Sequence, residues 1–305
     1  MKGPEERVQI LADLEQYLRF MGQMGFTGLA LENNPFEFTE PAPQQRPRPQ
    51  AVSGPSAPAP PRPRAVPPPA PEMKKPDRAP KKKAVPNLMS IMDMVESSHA
   101  SPAEETRRRA QAVQGDSKID VLRGLYSAFQ NCTDCALSTT RRCFVFGEGP
   151  PDTPIMFVGE GPGVAEDQSG RPYMGEQGQL LERIIKSMGF ERAQTFITTV
   201  VKCRIPEGRT PLPDEVASCA PLLERQIETV APRVIVSMGP TALRFFRGPE
   251  VSLMRMRGQF FQWRNIQVMP TYDPEYITRN PRSKREVWND LQMVMGYLRE
   301  GAPPQ

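Results

Sequence analysis

Apolar positions along the chain follow two different rhythms. Between Glu5 and Phe26, the residues Val8, Leu11, Leu14, Leu18, Met21 and Met24 recur at spacings of three and four, which predicts an amphipathic helix. From Ile119 onward, compact apolar runs alternate with helical periodicity instead. The runs 154–159, 195–201 and 234–239 read as buried strands, and residues 260–269 as one or two more. Helices are expected at 121–129, 178–188, 213–230, 241–246 and 283–298. Such alternation builds a mostly parallel central sheet with helices on both faces, a three-layer αβα arrangement in the α/β class, here over residues 119–300. In folds of this kind the ligand crevice opens beyond the carboxyl ends of the strands.

Composition separates the two rhythms. Sixteen of the 36 prolines fall between Pro41 and Pro86, with ten Lys or Arg against only Glu72 and Asp77. Few large apolar residues are present there to offset the entropy of ordering, so residues 39–86 are expected to be a disordered, semi-stiff, basic linker. It either attracts phosphates by counterion release or is simply solvated. Residues 1–38 then hold the amphipathic helix and its flank, and 87–118 a short helical lead-in. One helix cannot bury its own apolar stripe, so the first either packs back on the core or docks a protein partner. The whole chain is only +4, which leaves the remainder slightly acidic.

No apolar run approaches the ~20 residues needed to cross a bilayer, and the start of the sequence lacks the apolar stretch of a secretion signal. The expectation is a cytoplasmic monomer with no membrane contact. Five cysteines, an odd number in a long chain, argue against a disulfide framework and for metal ligands or free thiols. Cys132 and Cys135 form a close pair, and Cys203 and Cys219 follow at a distance. That is the pattern of a metal or iron–sulfur site in which late thiolates bring remote segments to an early pair. On residue types alone, structural zinc and a cluster are equally compatible. Cys143, between Arg142 and Phe144, reads as a small or free thiol.

The turn Gly159-Glu-Gly-Pro-Gly163 follows a predicted strand, but it fits neither the dinucleotide fingerprint nor a nucleoside triphosphate loop, which it would have to end with Gly-Lys-Ser/Thr. Its continuation through Glu166-Asp-Gln-Ser-Gly-Arg-Pro-Tyr-Met-Gly-Glu-Gln-Gly-Gln-Leu-Leu181 resembles the first motif of family 4 uracil-DNA glycosylases. Val200-Val-Lys-Cys-Arg204, the turn Gly208-Arg-Thr-Pro211, Arg257-Gly258 and Thr271-Tyr-Asp-Pro-Glu-Tyr276 with Arg279-Asn-Pro281 extend the resemblance in order, over roughly residues 119–298.

The resemblance implies a uracil-DNA glycosylase-like fold and a DNA-repair activity, hydrolysis of the N-glycosidic bond of deoxyuridine in DNA to leave an abasic site. It also favours a four-iron, four-sulfur (4Fe-4S) cluster on Cys132, Cys135, Cys203 and Cys219 over zinc. Glu160 would order the attacking water or favour the sugar cation, amides from Gly161 to Gly163 would approach uracil, and Tyr173, where the family has Phe, would stack on the base. Two positions depart from the family pattern: Thr199 stands where Asn usually reads the uracil edge, and Asp273 where His usually donates to the leaving uracil oxygen. Losing one such donor costs on the order of 3–4 kcal/mol elsewhere, and an ionised Asp273 would repel the charge it faces. A catalytically weak DNA-binding module, or a glycosylase of altered base preference, is the competing reading. Lys202, Arg204 and Arg279, near the strand ends, are candidate DNA phosphate contacts. The chain's one histidine, His99, lies outside the resembling region.

Overall fold

The computed structural model describes residues 29–30, 37–38 and 101–301. The expected N-terminal helix, the basic linker and His99 lie outside the described residues. Leu29–Ala30 pairs antiparallel with Glu37–Phe38.

Two helices lead into the sheet. Helix α1 (Pro102–Ala112) starts on a reciprocal cap: Glu104 N–H donates to the Ser101 hydroxyl, and Ser101 N–H donates to the Glu104 carboxylate. Helix α2 (Lys118–Phe129) is capped by Ser117 and buries Leu122, Leu125 and Phe129. The elements that follow are β1 (Ile155–Gly159), α3 (Val164–Ser169), α4 (Gly175–Ser187), β2 (Phe196–Thr199), α5 (Pro213–Val230), β3 (Val234–Met238), α6 (Gly239–Arg247) and α7 (Leu253–Met256). Then come β4 (Phe261–Trp263), β5 (Ile266–Thr271), α8 (Pro274–Arg279) and α9 (Lys284–Glu300). The sheet runs in the order β2-β1-β3-β5-β4, parallel except for β4.

Burial on both faces explains why the central strands read as unbroken apolar runs. In β1 the side chains alternate: Ile155 and Phe157 enter one core with Leu181, Ile185, Trp288 and Leu291. Met156 and Val158 enter the other, with Leu125, Phe129, Leu222 and Ile227. Helices α4 and α9 therefore cover one face and α2 and α5 the other, the three layers expected.

The apolar stretch 260–269 resolves into the antiparallel pair β4–β5. Arg264 and Asn265 between them adopt φ of 46° and 67°, the left-handed pair that a tight two-residue hairpin turn requires. Because β1, β2, β3 and β5 run parallel, Gly159, Thr199, Met238 and Thr271 end on one edge of the sheet. The expected crevice lies there.

Candidate active site

Glu160, Gly161, Tyr173, Thr199 and Asp273 line one pocket at that edge, with Arg279 at its wall. Glu160 and Gly161 follow β1, Thr199 ends β2, and Asp273 follows β5 as the N-cap of α8. Tyr173 lies in the loop before α4 in a left-handed conformation, φ 50°. Its hydroxyl donates to Asp273 Oδ2 at 2.5 Å. A Cβ on Gly159 would stand 1.8 Å from the same hydroxyl oxygen, so the close approach of Tyr173 requires glycine there. Gly161 is similarly crowded: a Cβ would meet Val201 and Ile205 side-chain carbons at 2.5 and 2.7 Å.

Hydrogen-bond direction sets the electrostatics. Asp273 Oδ1 accepts from Glu275 N–H at 2.9 Å, so each carboxylate oxygen holds one donor. Burial nonetheless pushes its pKa up to about 6; the two bonds oppose that, and the Glu275 and Glu160 charges reinforce it. Burial also raises Glu160, opposed by the Thr241 hydroxyl, which donates to Glu160 Oε2, and by Arg244. Thr199 is 2 % exposed and donates its hydroxyl hydrogen to Val201 O at 2.8 Å. Burial drives Tyr173 well above the usual phenol range, so its hydroxyl keeps its proton.

Two expected contacts are corrected. Gly163 lies outside this pocket, and its N–H donates to Glu166 Oε2 at 2.9 Å. Glu166 Oε1 accepts from Met174 N–H at 2.7 Å, so the carboxylate ties two segments of the loop together and leaves no Gly163 amide for a base. Lys202 is 0 % exposed and cannot reach a DNA phosphate. Its ammonium donates to Thr198 Oγ1 at 2.6 Å and Thr199 O at 2.7 Å. Burial pulls its pKa down to about 7. Arg279 is exposed and pairs with Glu275. Arg204 is about one-third exposed, with Nε 3.8 Å from Asp167 Oδ2.

On the far side of Lys202, Cys132, Cys135, Cys203 and Cys219 line a second, smaller cavity with Phe129, Leu222 and Arg141. The pair comes from the loop after α2, Cys203 from the loop after β2, and Cys219 from α5. None is in a disulfide. Arg141 Nη1 donates to Cys203 Sγ at 3.2 Å and to Cys132 O at 2.6 Å. Burial pushes the Cys132 thiol up to about 11 and that of Cys219 up to about 12, and raises Cys135 and Cys203. A cationic guest is what converts such buried thiols to thiolates. Among the described residues, no group of three or more His, Cys, Asp or Glu is arranged around a single metal ion. Four thiols on the wall of one cavity are a donor set of the soft kind that zinc and iron–sulfur centres use. Cys143 lies away from the cavity wall, and its N–H donates to Asp167 Oδ1 at 3.2 Å.

Residues 146–292 match the family model described as the uracil DNA glycosylase superfamily. The chain is 42% identical over 175 residues to the type-4 uracil-DNA glycosylase of Thermotoga maritima, covering 56% of this chain and 91% of that protein. It is 38% identical over 185 residues to the type-4 uracil-DNA glycosylase of Sulfurisphaera tokodaii, covering 58% and 84%. The type-4 enzyme of Pyrobaculum aerophilum is 38% identical over 183 residues, covering 57% and 93%. The chain belongs to the type-4 uracil-DNA glycosylase family.

In this type-4 chain the superfamily match spans every pocket residue from Glu160 to Arg279, together with Cys203 and Cys219, and begins after Cys132 and Cys135. Sequence reasoning missed Thr241, which sits in the first turn of α6 and holds Glu160. Its signal was present: a hydroxyl residue just after Gly239-Pro240, beyond the carboxyl end of a central parallel strand.

Proposed function

We propose that this chain is a DNA-repair glycosylase that receives a deoxyuridine extruded from DNA and hydrolyses its N-glycosidic bond, leaving an abasic site. The observation that carries the reading is the shared pocket of Glu160, Tyr173, Thr199 and Asp273 at the carboxyl edge of the sheet. Bond breaking develops positive charge on the sugar and negative charge on uracil. Glu160, oriented by Thr241, favours the sugar cation and takes the proton of the water that attacks it. Asp273 serves the leaving uracil oxygen only when protonated, as a donor, and opposes departure when ionised. With its pKa near 6, uracil excision is favoured in mild acid. The Tyr173 ring supports the base, and Thr199 Oγ1 accepts a base N–H.

Cys132, Cys135, Cys203 and Cys219 would hold a 4Fe-4S cluster whose contribution is a cross-link between the α2 loop, the β2 loop and α5. Arg141 would donate to its Cys203 ligand. Arg204 and Arg279 orient DNA through phosphate contacts, and the protein works as a cytoplasmic monomer.

The test is abasic-site formation in single- and double-stranded uracil oligonucleotides against thymine controls, with Glu160→Gln alongside. Uracil-dependent strand scission after alkali, lost in Glu160→Gln, supports the reading. Tight DNA binding with no scission at any pH favours a binding module. The two hydrogen bonds accepted by the Asp273 carboxylate are the observation on that side, because they suit its ionised form.

A further inference from the structure

The hydroxyl donors around the pocket are committed to protein acceptors. The Thr199 hydroxyl hydrogen is committed to Val201 O, that of Tyr173 to Asp273, and that of Thr241 to Glu160. Thr199 therefore presents only lone pairs to the cavity. Asp273 and Glu160 present what remains of two carboxylates. Gly163 and Met174 N–H groups occupy both oxygens of Glu166, and Glu275 engages the Arg279 guanidinium. Gln177 and Arg279 supply the side-chain amide and cation on the wall. The site is thus built mainly of acceptors, two of them anionic, where departing uracil needs donors.

We propose that at neutral pH this pocket takes an extruded base that already carries positive charge, an N-alkylated cytosine or adenine, in preference to uracil. The inference rests on the reading of the pocket as the seat of an extruded base. Such a base needs no anion stabilisation. When the C1′–N bond breaks, the electron pair moves onto the base nitrogen, the base leaves neutral, and the positive charge passes to the sugar beside Glu160. Water adds to C1′, and its proton goes to Glu160 and then to solvent. The products are the abasic sugar, the neutral alkylated base and one proton. Asp273 acts earlier, in binding: its carboxylate attracts the cationic base, and the exocyclic amino group of that base donates to Thr199 Oγ1 or to Asp273. Ionised Asp273 is the form that serves this substrate, as protonated Asp273 is the form that serves uracil. The groups that set its charge are Tyr173 before α4, Glu160 after β1 and Glu275 on α8.

The test compares single-stranded oligonucleotides of one sequence carrying N3-methylcytosine, unmodified cytosine or uracil, with the full chain under single-turnover conditions. Near pH 7.5 the methylated cytosine is released at least about tenfold faster than uracil, and cytosine, which has the amino group without the charge, is not released. Lowering the pH to about 5.5 narrows or reverses that ratio. Asp273→Asn keeps an oxygen for the Glu275 N–H cap, turns an amide N–H toward the Tyr173 oxygen and removes the charge, so it reduces the ratio about tenfold. The pH change tests the same point in the natural protein should that variant fold poorly. Release of uracil at an equal or greater rate near pH 7.5 overturns the inference and leaves the glycosylase reading standing. So does release of uracil near pH 5.5 with no release of the methylated base at either pH. No release of any base at either pH defeats both.

Discussion

Two cavities lie on either side of a single short segment: Thr199 lines the base pocket and Cys203 the cysteine cavity, with the buried ammonium of Lys202 between them. They differ in how their side chains are held. In the base pocket the hydroxyls and carboxylates are engaged by partners from other elements, as in the Tyr173–Asp273 and Thr241–Glu160 bonds. In the cysteine cavity the sulfurs are held mainly by nearby backbone N–H groups, those of Asp134 at Cys132, of Leu137 and Ser138 at Cys135 and of Lys202 at Cys219, and Arg141 is the side-chain donor to Cys203. A thiol set takes its chemistry from ligand type, and local backbone donors are enough to hold it. A base pocket takes its chemistry from which way each hydrogen points, so the same residue types can favour opposite substrates.

The sharpest way to break this comparison is to remove one thiol. On the proposed cluster, Cys219→Ala should give a protein without iron and lower the melting temperature by roughly 10 °C or more, whereas Cys143→Ala should leave both as in the natural protein. Iron analysis and calorimetry check it; equal behaviour of the two variants would dissolve the assignment of the cavity. In the base pocket the same removal should spare iron and change rate. Asp273→His, which places a donor where a carboxylate stands, should raise uracil excision near pH 7.5 by about 10²–10³-fold in a single-turnover assay.

A smaller effect separates the two cavities by pH. Asp273 has a folded pKa of about 6 against 3.8 in the unfolded chain. Below about pH 4 both states hold the proton and the group is neutral to stability. Between about pH 4 and pH 6 the unfolded state releases its proton first, so stability falls, and above about pH 6 the penalty is constant. Asp273→Asn should therefore be more favourable to stability at pH 8 than at pH 3 by about 3 kcal/mol, measured by denaturant titration. Smaller still, Thr241→Val should lower excision about tenfold and move the acid limb of the rate profile upward, because Glu160 loses a donor that favours its ionised form; Thr241→Ser should restore both.

The sheet was legible because its strands are buried on both faces and hence apolar without interruption, and the spacing of Cys132, Cys135, Cys203 and Cys219 was enough to expect that they meet, as they do at one cavity. Glu160, Gly161, Tyr173, Thr199 and Asp273 do converge on one pocket. What sequence could not give was direction. Nothing in Val200-Val-Lys-Cys-Arg204 reveals that Lys202 turns inward to Thr198 and Thr199, since a lysine at a strand end is equally at home in solvent. The bond between Tyr173 and Asp273 spans a hundred positions and exists only once α8 is seated beside the loop before α4. Gly163 is different: a Glu three residues after a helix N-cap is a readable capping signature, and Glu166 was the group that claimed its amide.

The central claim is that the charge on Asp273 decides what this pocket does with uracil. Single-turnover abasic-site formation from a uracil oligonucleotide, followed from about pH 5 to pH 8, tests it most directly. The rate should be highest below about pH 6 and fall roughly tenfold for each further pH unit, with Asp273→Asn removing that fall. A rate that is flat or rises through neutrality, in a protein whose Asp273→Asn variant behaves the same way, would contradict it.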